Sequence, residues 1–456
     1  DRRSQFHESI NTKRRMTMGK ETSDFRYNTG ATKVPWAAVG ENYNAADTFE
    51  FVKFLMQGKG AKYAAALKGV KKAIEELGRV STPPGKLSMG DKVAEVERAV
   101  DRYLGVEEGS SLFVSNCTAA LELGYRYAEV GPGDEVIVPT NTFIATVAYP
   151  LSVGAKLVFA DIDPKTVNMD PKDVERKITK RTKIIVPVHI GGYPCDMDAI
   201  MKVAKRHDIV VMEDAAHGFG GEYKGRKLGT IGHFGCFSMH EVKNCTSLGE
   251  GGIFVSNVKA YRAEARRARF LGVDFSHKIE NWLYDVSPIK AKKGTYQASN
   301  NASVTEIQAI GLLQQLKRYP KILAERRREA TYMTKRLSGI PGILPQMLGD
   351  DKIVPTFHLY QLQIDPKVVK GDVQTLKRKL DEKGVTNIPH FGPIYRFATS
   401  IAKGNDVKKI AKTCPITEYI FDKCYTHLPI YGLTKDQLKY MADAIIESVE
   451  EMKAGR

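Results

Sequence analysis

Lys243 stands in the stretch Cys236 to Gly252, CFSMHEVKNCTSLGEGG, which brings an amine, a hydroxyl and a glycine-dense turn close together. Ser238 lies five residues before the lysine, and Gly249-Glu250-Gly251-Gly252 follow it. A lysine amine can act as a nucleophile toward a carbonyl group. Glycines let a backbone approach a ligand closely or adopt positive φ. Taken alone, the lysine reads as one of many surface lysines and the glycines as a hairpin turn before the run Ile253 to Val255. A second group is Val211 to Gly218, VMEDAAHG. A strand running into Glu213-Asp214 puts a carboxylate at a strand's C-terminal end, where open α/β sheets take their ligands. A helix cap at the strand end is an equally good reading of it. The third group is Val114 to Leu121, VSNCTAAL. A small-residue turn between strand and helix presents backbone N–H groups and a hydroxyl, an arrangement that binds phosphate.

These groups need elements to hold them. Ser111 to Ser115, Glu135 to Pro139, Lys156 to Ala160, Lys183 to Val188 and Ile209 to Met212 are short apolar runs, mostly β-branched. Such runs suit strands buried on both faces. Helical stretches lie between them, including Ala94 to Leu104, a helix from Thr118 and one from Asp196 to Arg206 with Asp196 as its N-cap. This alternation predicts an α/β fold with a mostly parallel central sheet. Long basic helical stretches follow at Lys259 to Phe270 and Val304 to Leu337, around an irregular segment from Gly272 to Asn301. From Lys352 the pattern is that of a smaller α+β domain, ending in a helix from Thr434 to Met452. The expected division is an N-terminal arm over 1–45, a large α/β domain over 46–340 with an inserted excursion at 57–92, and a small C-terminal domain over 341–456. The second boundary rests on the turn-rich GIPGILP at Gly339 to Pro345.

A chain of 456 residues supports two or three lobes around a substantial core. The net charge of +16 reads first as solvated helix faces, with attraction of a phosphorylated or nucleotide-linked substrate as the sharper alternative. No zinc-finger spacing or RNA-binding signature accompanies the charge, so nucleic acid is not an expected partner. No apolar run approaches the roughly 20 residues of a membrane-spanning helix, and Asp1 to Lys20 is polar and basic, unlike a signal peptide. The six cysteines form no C-x-x-C pair or zinc-like cluster. No metal site or disulfide framework is expected, and reduced thiols in a cytoplasmic protein fit best.

The stretches Gly133 to Thr146 (GDEVIVPTNTFIAT), Leu157 to Asp163 (LVFADID), Pro187 to Ile200 (PVHIGGYPCDMDAI), Glu213 to Gly252 and Asn300 to Ala309 (NNASVTEIQA) run in this order. In them the chain resembles the fold-type-I pyridoxal-phosphate (PLP) enzymes, specifically the sugar-aminotransferase family named after DegT and StrS. The resemblance covers roughly residues 85–450. It implies PLP as cofactor, Lys243 as the Schiff-base lysine and Asp214 as the carboxylate at the pyridine nitrogen. It further implies Phe143 as the stacking aromatic, and Ser238 with Asn116, Cys117 and Thr118 as the phosphate holders. His217 falls near the cofactor hydroxyl. Asn301 matches an asparagine that reaches the phosphate from a neighbouring subunit, which implies a homodimer with shared sites. His240 and His390 are candidate substrate contacts. The sequence departs from the family at Cys117, where a glycine is usual, at Ser303, where an arginine is common, and in the long segment 57–92.

The implied reaction moves an amino group from glutamate or glutamine to a keto or aldehyde sugar that is phosphorylated, acidic or nucleotide-linked, in amino-sugar biosynthesis. One alternative is a PLP-dependent sugar dehydratase on the same fold, against which Lys243 argues, because that branch carries histidine in its place. The other is a non-catalytic regulatory protein that keeps the fold, against which the joint presence of lysine, aspartate, serine and aromatic argues.

Overall fold

The computed structural model describes residues 43–82, 87–274, 286–387, 392–398 and 406–455. They fall into two compact units, one up to Leu87 and one from Ser88 onward. In the first, α1 (Ala45–Leu55) and α2 (Ala61–Gly78) form a helical pair. Asn44 opens α1 with a reciprocal cap, its side chain accepting from the Asp47 N–H while Asp47 accepts from the Asn44 N–H.

The second unit begins with α3 (Asp91–Leu104), whose Val93, Val96, Val100 and Leu104 fall on one face and are buried. β1 (Ser111–Val114) leads into α4 (Cys117–Tyr127), and β2 (Glu135–Pro139) into α5 (Ala145–Ser152). Then come β3 (Lys156–Ala160), β4 (Thr182–Ile185), α6 (Met197–Arg206), β5 (Val210–Asp214), β6 (Phe234–Ser238) and β7 (Gly252–Ser256). The seven strands make one sheet in the order β1-β7-β6-β5-β4-β2-β3. From β6 across to β3 every pair is parallel, while β7 runs antiparallel to both β1 and β6. The sheet is therefore mostly parallel, as the strand–helix alternation predicts. Side chains alternate along the central strand: Val210 and Met212 enter the core under α4, and Val211 enters the core under α6. Both faces are covered, so every residue of β5 is buried.

After α7 (Lys259–Ala268), the 32-residue α8 (Glu306–Leu337) opens with a capping box between Thr305 and Gln308. The Glu306 carboxylate reaches back and accepts the N–H groups of Gly90, Lys92 and Val93, capping the start of α3. The first turns of α8 pack Ala309 and Leu312 against the large sheet. Its last turns bury Ala330, Met333 and Leu337 in a second core. That core is an antiparallel sheet of β8 (Ile343–Pro345), β9 (Tyr360–Ile364) and β10 (Tyr425–Leu428), with β9 central. It is covered by α9 (Val373–Glu382) and α10 (Lys435–Ala454). The fold is thus α/β with a smaller α+β lobe. Among the described residues, no helix is long and apolar enough to cross a membrane.

Candidate active site

Asp214 ends β5, and its backbone is clamped there: its N–H donates to Pro187 O at 2.9 Å and its carbonyl accepts the His189 N–H at 3.2 Å. The side chain enters a cavity of ≈400 Å³. One carboxylate oxygen accepts the Thr146 hydroxyl at 2.7 Å, and that hydroxyl lies 2.6 Å from the hydroxyl of Thr142. The other accepts the Ala216 N–H at 3.2 Å. Burial pushes the Asp214 carboxyl above its ordinary range, against the Thr146 hydrogen bond and the charge of Lys243.

Lys243 comes from the turn after β6. Its N–H donates to His240 O at 2.9 Å, and the base of the turn is closed by Met239 N–H on Gly251 O and Glu241 N–H on Gly249 O. Lys243 lines the same cavity as Asp214. Burial pulls its amine below the ordinary range, with the Asp214 charge opposing. The glycine turn does two jobs. Gly249 takes φ +113°, and a Cβ on Gly252 would lie 2.3 Å from the Asn116 carbonyl carbon. β7 can therefore sit directly against the Asn116–Cys117 peptide only because Gly252 has no side chain.

That peptide starts α4. The Asn116 side chain caps the helix by accepting the Ala119 N–H at 2.9 Å. Cys117 and Thr118 are the first helical residues, so their N–H groups have no acceptor within the helix. Both residues line the cavity with Asn116, so this helix start presents backbone donors to it, an arrangement that suits a phosphate. Cys117, where the family usually carries a glycine, is buried on the wall of the cavity. Phe143 on the wall is 58% exposed, so a ring face is open to a planar ligand. Ser238 and His217 line the cavity too. His240 does so from the turn, its Nε2 3.6 Å from a Glu250 carboxylate oxygen.

Two expected residues stand elsewhere. Asn301 is exposed and is not among the residues lining this cavity; its Oδ1 accepts the Ser303 N–H at 3.0 Å and the Ser303 hydroxyl at 2.6 Å. His390 lies outside the described residues.

Several residues of the site were not singled out from the sequence. Thr142 and Thr146 lie within the quoted stretch GDEVIVPTNTFIAT, and their four-residue spacing was the available signal. Glu213 and His189 form a buried pair behind Asp214. The Glu213 carboxylate accepts N–H groups from Gly229, Ile231 and Gly232 at 2.6–2.8 Å, and meets His189 Nε2 at 3.0 Å. His189 Nδ1 accepts the Cys195 N–H at 3.1 Å, which places the ring proton on Nε2, toward the carboxylate. The two adjacent acids thus differ in kind: Glu213 is saturated with donors, and Asp214 faces the cavity. His358, far along the chain, stacks on His217 with ring centroids 4.2 Å apart.

An amine, a buried carboxylate, an open aromatic face and a helix N-terminus converge on one cavity. This donor set fits pyridoxal phosphate: an aldehyde for the amine, a ring nitrogen for the carboxylate and a phosphate for the helix start.

The family model of the DegT/DnrJ/EryC1/StrS aminotransferases matches residues 70–446. The chain is 34% identical over 331 residues to GDP-perosamine synthase of Caulobacter vibrioides, covering 72% of this chain and 84% of that one. It is 34% identical over 310 residues to UDP-4-amino-4-deoxy-L-arabinose–oxoglutarate aminotransferase of Shewanella sediminis, covering 67% and 77%. Among solved structures it is similar to the putative sugar aminotransferase Spr1654 from Streptococcus pneumoniae in its PLP form, at 28% identity and a TM-score of 0.69, covering 81% of this chain and 93% of that one.

Proposed function

The chain belongs to the DegT/DnrJ/EryC1/StrS aminotransferase family and is a PLP-dependent aminotransferase; from that premise we propose that it moves an amino group from glutamate or glutamine to a keto or aldehyde carbon of a phosphorylated, acidic or nucleotide-linked sugar, in amino-sugar biosynthesis. The observation that carries the reading is the desolvated Lys243 amine in one cavity with the buried Asp214 carboxylate. The printed names of two relatives, one UDP-linked with oxoglutarate and one GDP-linked, support a nucleotide-linked acceptor and glutamate as donor. The net charge of +16 agrees with an anionic acceptor.

Pyridoxal phosphate supplies an aldehyde that captures amines and a ring that draws off electrons. Lys243 provides the attacking amine, since burial favours its neutral, nucleophilic form. With the cofactor bound, the same amine would be the group placed to carry a proton at the substrate carbon. Asp214 would keep a proton on the ring nitrogen, its carboxylate held in place by the Thr146 hydroxyl. Phe143 would pack on the ring face, the Cys117 and Thr118 N–H groups with Ser238 would hold the phosphate, and His217 would lie at the ring oxygen. His240, on the cavity wall, would contact the substrate, and His390 stays a candidate contact from the sequence alone. Asn301, exposed and bonded to Ser303, would complete the phosphate site of a second copy in a homodimer. We assign residues 46–340 as the cofactor domain and 341–456 as the small domain. Six free, buried cysteines support a cytoplasmic setting.

Reduction of the PLP-loaded protein with borohydride should leave the cofactor on the peptide containing Lys243, and glutamate alone should convert the bound cofactor to its amine form. Lys243→Ala should lose both. Reducible cofactor at another lysine in that variant would sink the assignment.

A further inference from the structure

The cavity is built from the large sheet, yet a short segment of the small lobe grips His217 on its wall and Asn244, the residue after Lys243. The Thr356 hydroxyl donates to the His217 carbonyl at 2.5 Å. The His358 ring lies on the His217 ring, 4.2 Å between centroids and 24° from parallel. On its other side His358 Nδ1 donates to Asn244 Oδ1 at 2.9 Å, and Asn244 adjoins Lys243. The backbone of the segment is pinned as well, with Thr356 N–H on Gly192 O at 3.1 Å and His358 N–H on Gly191 O at 2.9 Å. The fit depends on Gly192, at φ +85°, where a Cβ would lie 1.8 Å from the Thr356 hydroxyl. Between the two gripping residues, Phe357 has φ 51°, in the left-handed region that bulky residues avoid. Its ring is 3% exposed within the small core, whose packing holds that conformation. Thr356 and His358 are thereby aimed at the cavity side while Phe357 is anchored in the lobe.

We propose that Thr356 and His358 are positioning residues for the cofactor: they set the backbone and ring of His217 and the amide beside Lys243. The small lobe thereby contributes to cofactor binding without touching the cofactor. This rests on the reading of the cavity as the PLP site. Three variants separate the contacts. Thr356→Val keeps the shape and removes the hydroxyl, His358→Phe keeps a stacked ring and removes the bond to Asn244, and His358→Asn removes the ring.

For each apoprotein the Kd for pyridoxal phosphate, the absorbance of the bound cofactor with its pH midpoint, and the melting temperature are measured. His358→Asn should raise the Kd roughly tenfold, the scale of one stacked ring pair. His358→Phe should raise it less and shift the pH midpoint of the absorbance, because the amide next to Lys243 is released. Thr356→Val should raise the Kd by a few-fold, the scale of one hydrogen bond. Wild-type Kd and midpoint in all three would overturn the proposal. So would lowered apoprotein melting with an unchanged midpoint, which marks a purely structural segment. If the wild-type protein itself failed to bind pyridoxal phosphate, the reading of the cavity would fall, and this proposal with it.

Discussion

Lys243 and Asp214 are both held in protonation environments that solvent would not give them, and for the same reason: each is buried, and burial penalises charge. For the lysine this has a consequence for the apoprotein that can be signed. The unfolded chain protonates Lys243 with its ordinary value of 10.5, and the folded value lies lower. Between the two, the unfolded state holds a proton that the folded state lacks, so stability rises with pH across that window. Below the folded value the penalty is present in full. Lys243→Met should therefore raise the apoprotein melting temperature at neutral pH by roughly 1–2 °C, and the gain should shrink as pH climbs toward 10.5. A gain that grew with pH would contradict the burial argument. The attraction to Asp214 opposes the effect but is the smaller influence.

At the scale of elements, strands were legible where β-branched runs were bounded by turn residues. β2 and β3 coincide with Glu135 to Pro139 and Lys156 to Ala160, which pair in parallel along all five residues, β2 buried throughout and β3 at the edge of the sheet. The run at Lys183 to Val188 outlasts its strand, because after Ile185 the chain leaves the ladder and touches β5 again only at Val188 and Asp214. The direction of β7 could not be read, since an Ile-Phe-Val run looks alike whichever way it points. The local site residues were legible because each sits in a short, densely patterned stretch. His358 was not, since one histidine before a strand carries no local mark, and its partner Asn244 lies 114 residues away. Gly252 joins the two levels. Gly252→Ala should force β7 away from the Asn116–Cys117 peptide. The expected result is weaker PLP binding by roughly tenfold or more together with a lower melting temperature. An alanine variant that bound the cofactor normally would mean the close approach is dispensable.

For the whole molecule, Asn301 is exposed and does not line the cavity, which fits the proposed homodimer with shared sites. Light scattering should find a dimer, and mixing should show whether sites are shared. Lys243→Ala and Asn301→Ala homodimers should each be impaired. A mixed dimer would hold one site with Lys243 from one chain and Asn301 from the other, both intact. Random exchange should then restore up to about a quarter of wild-type activity, from half the dimers with one good site each. Activity no greater than the sum of the unmixed variants would show that each chain builds its site alone.

The antiparallel β7, wedged between β1 and β6, also orders events in time. β1 pairs with no other strand of the sheet, and its register runs from Ser111 with Val255 to Val114 with Gly252. As the ribosome delivers the chain from its N-terminal end, the turn at Asn116 is made early but has no edge to dock on until residues beyond Ser256 have emerged. The proposed phosphate cradle is thus among the first parts of the cavity to be synthesised and among the last to be assembled, a long-range closure of the kind that slows folding. Cofactor capture during synthesis would accordingly be expected only after β7 has closed the sheet.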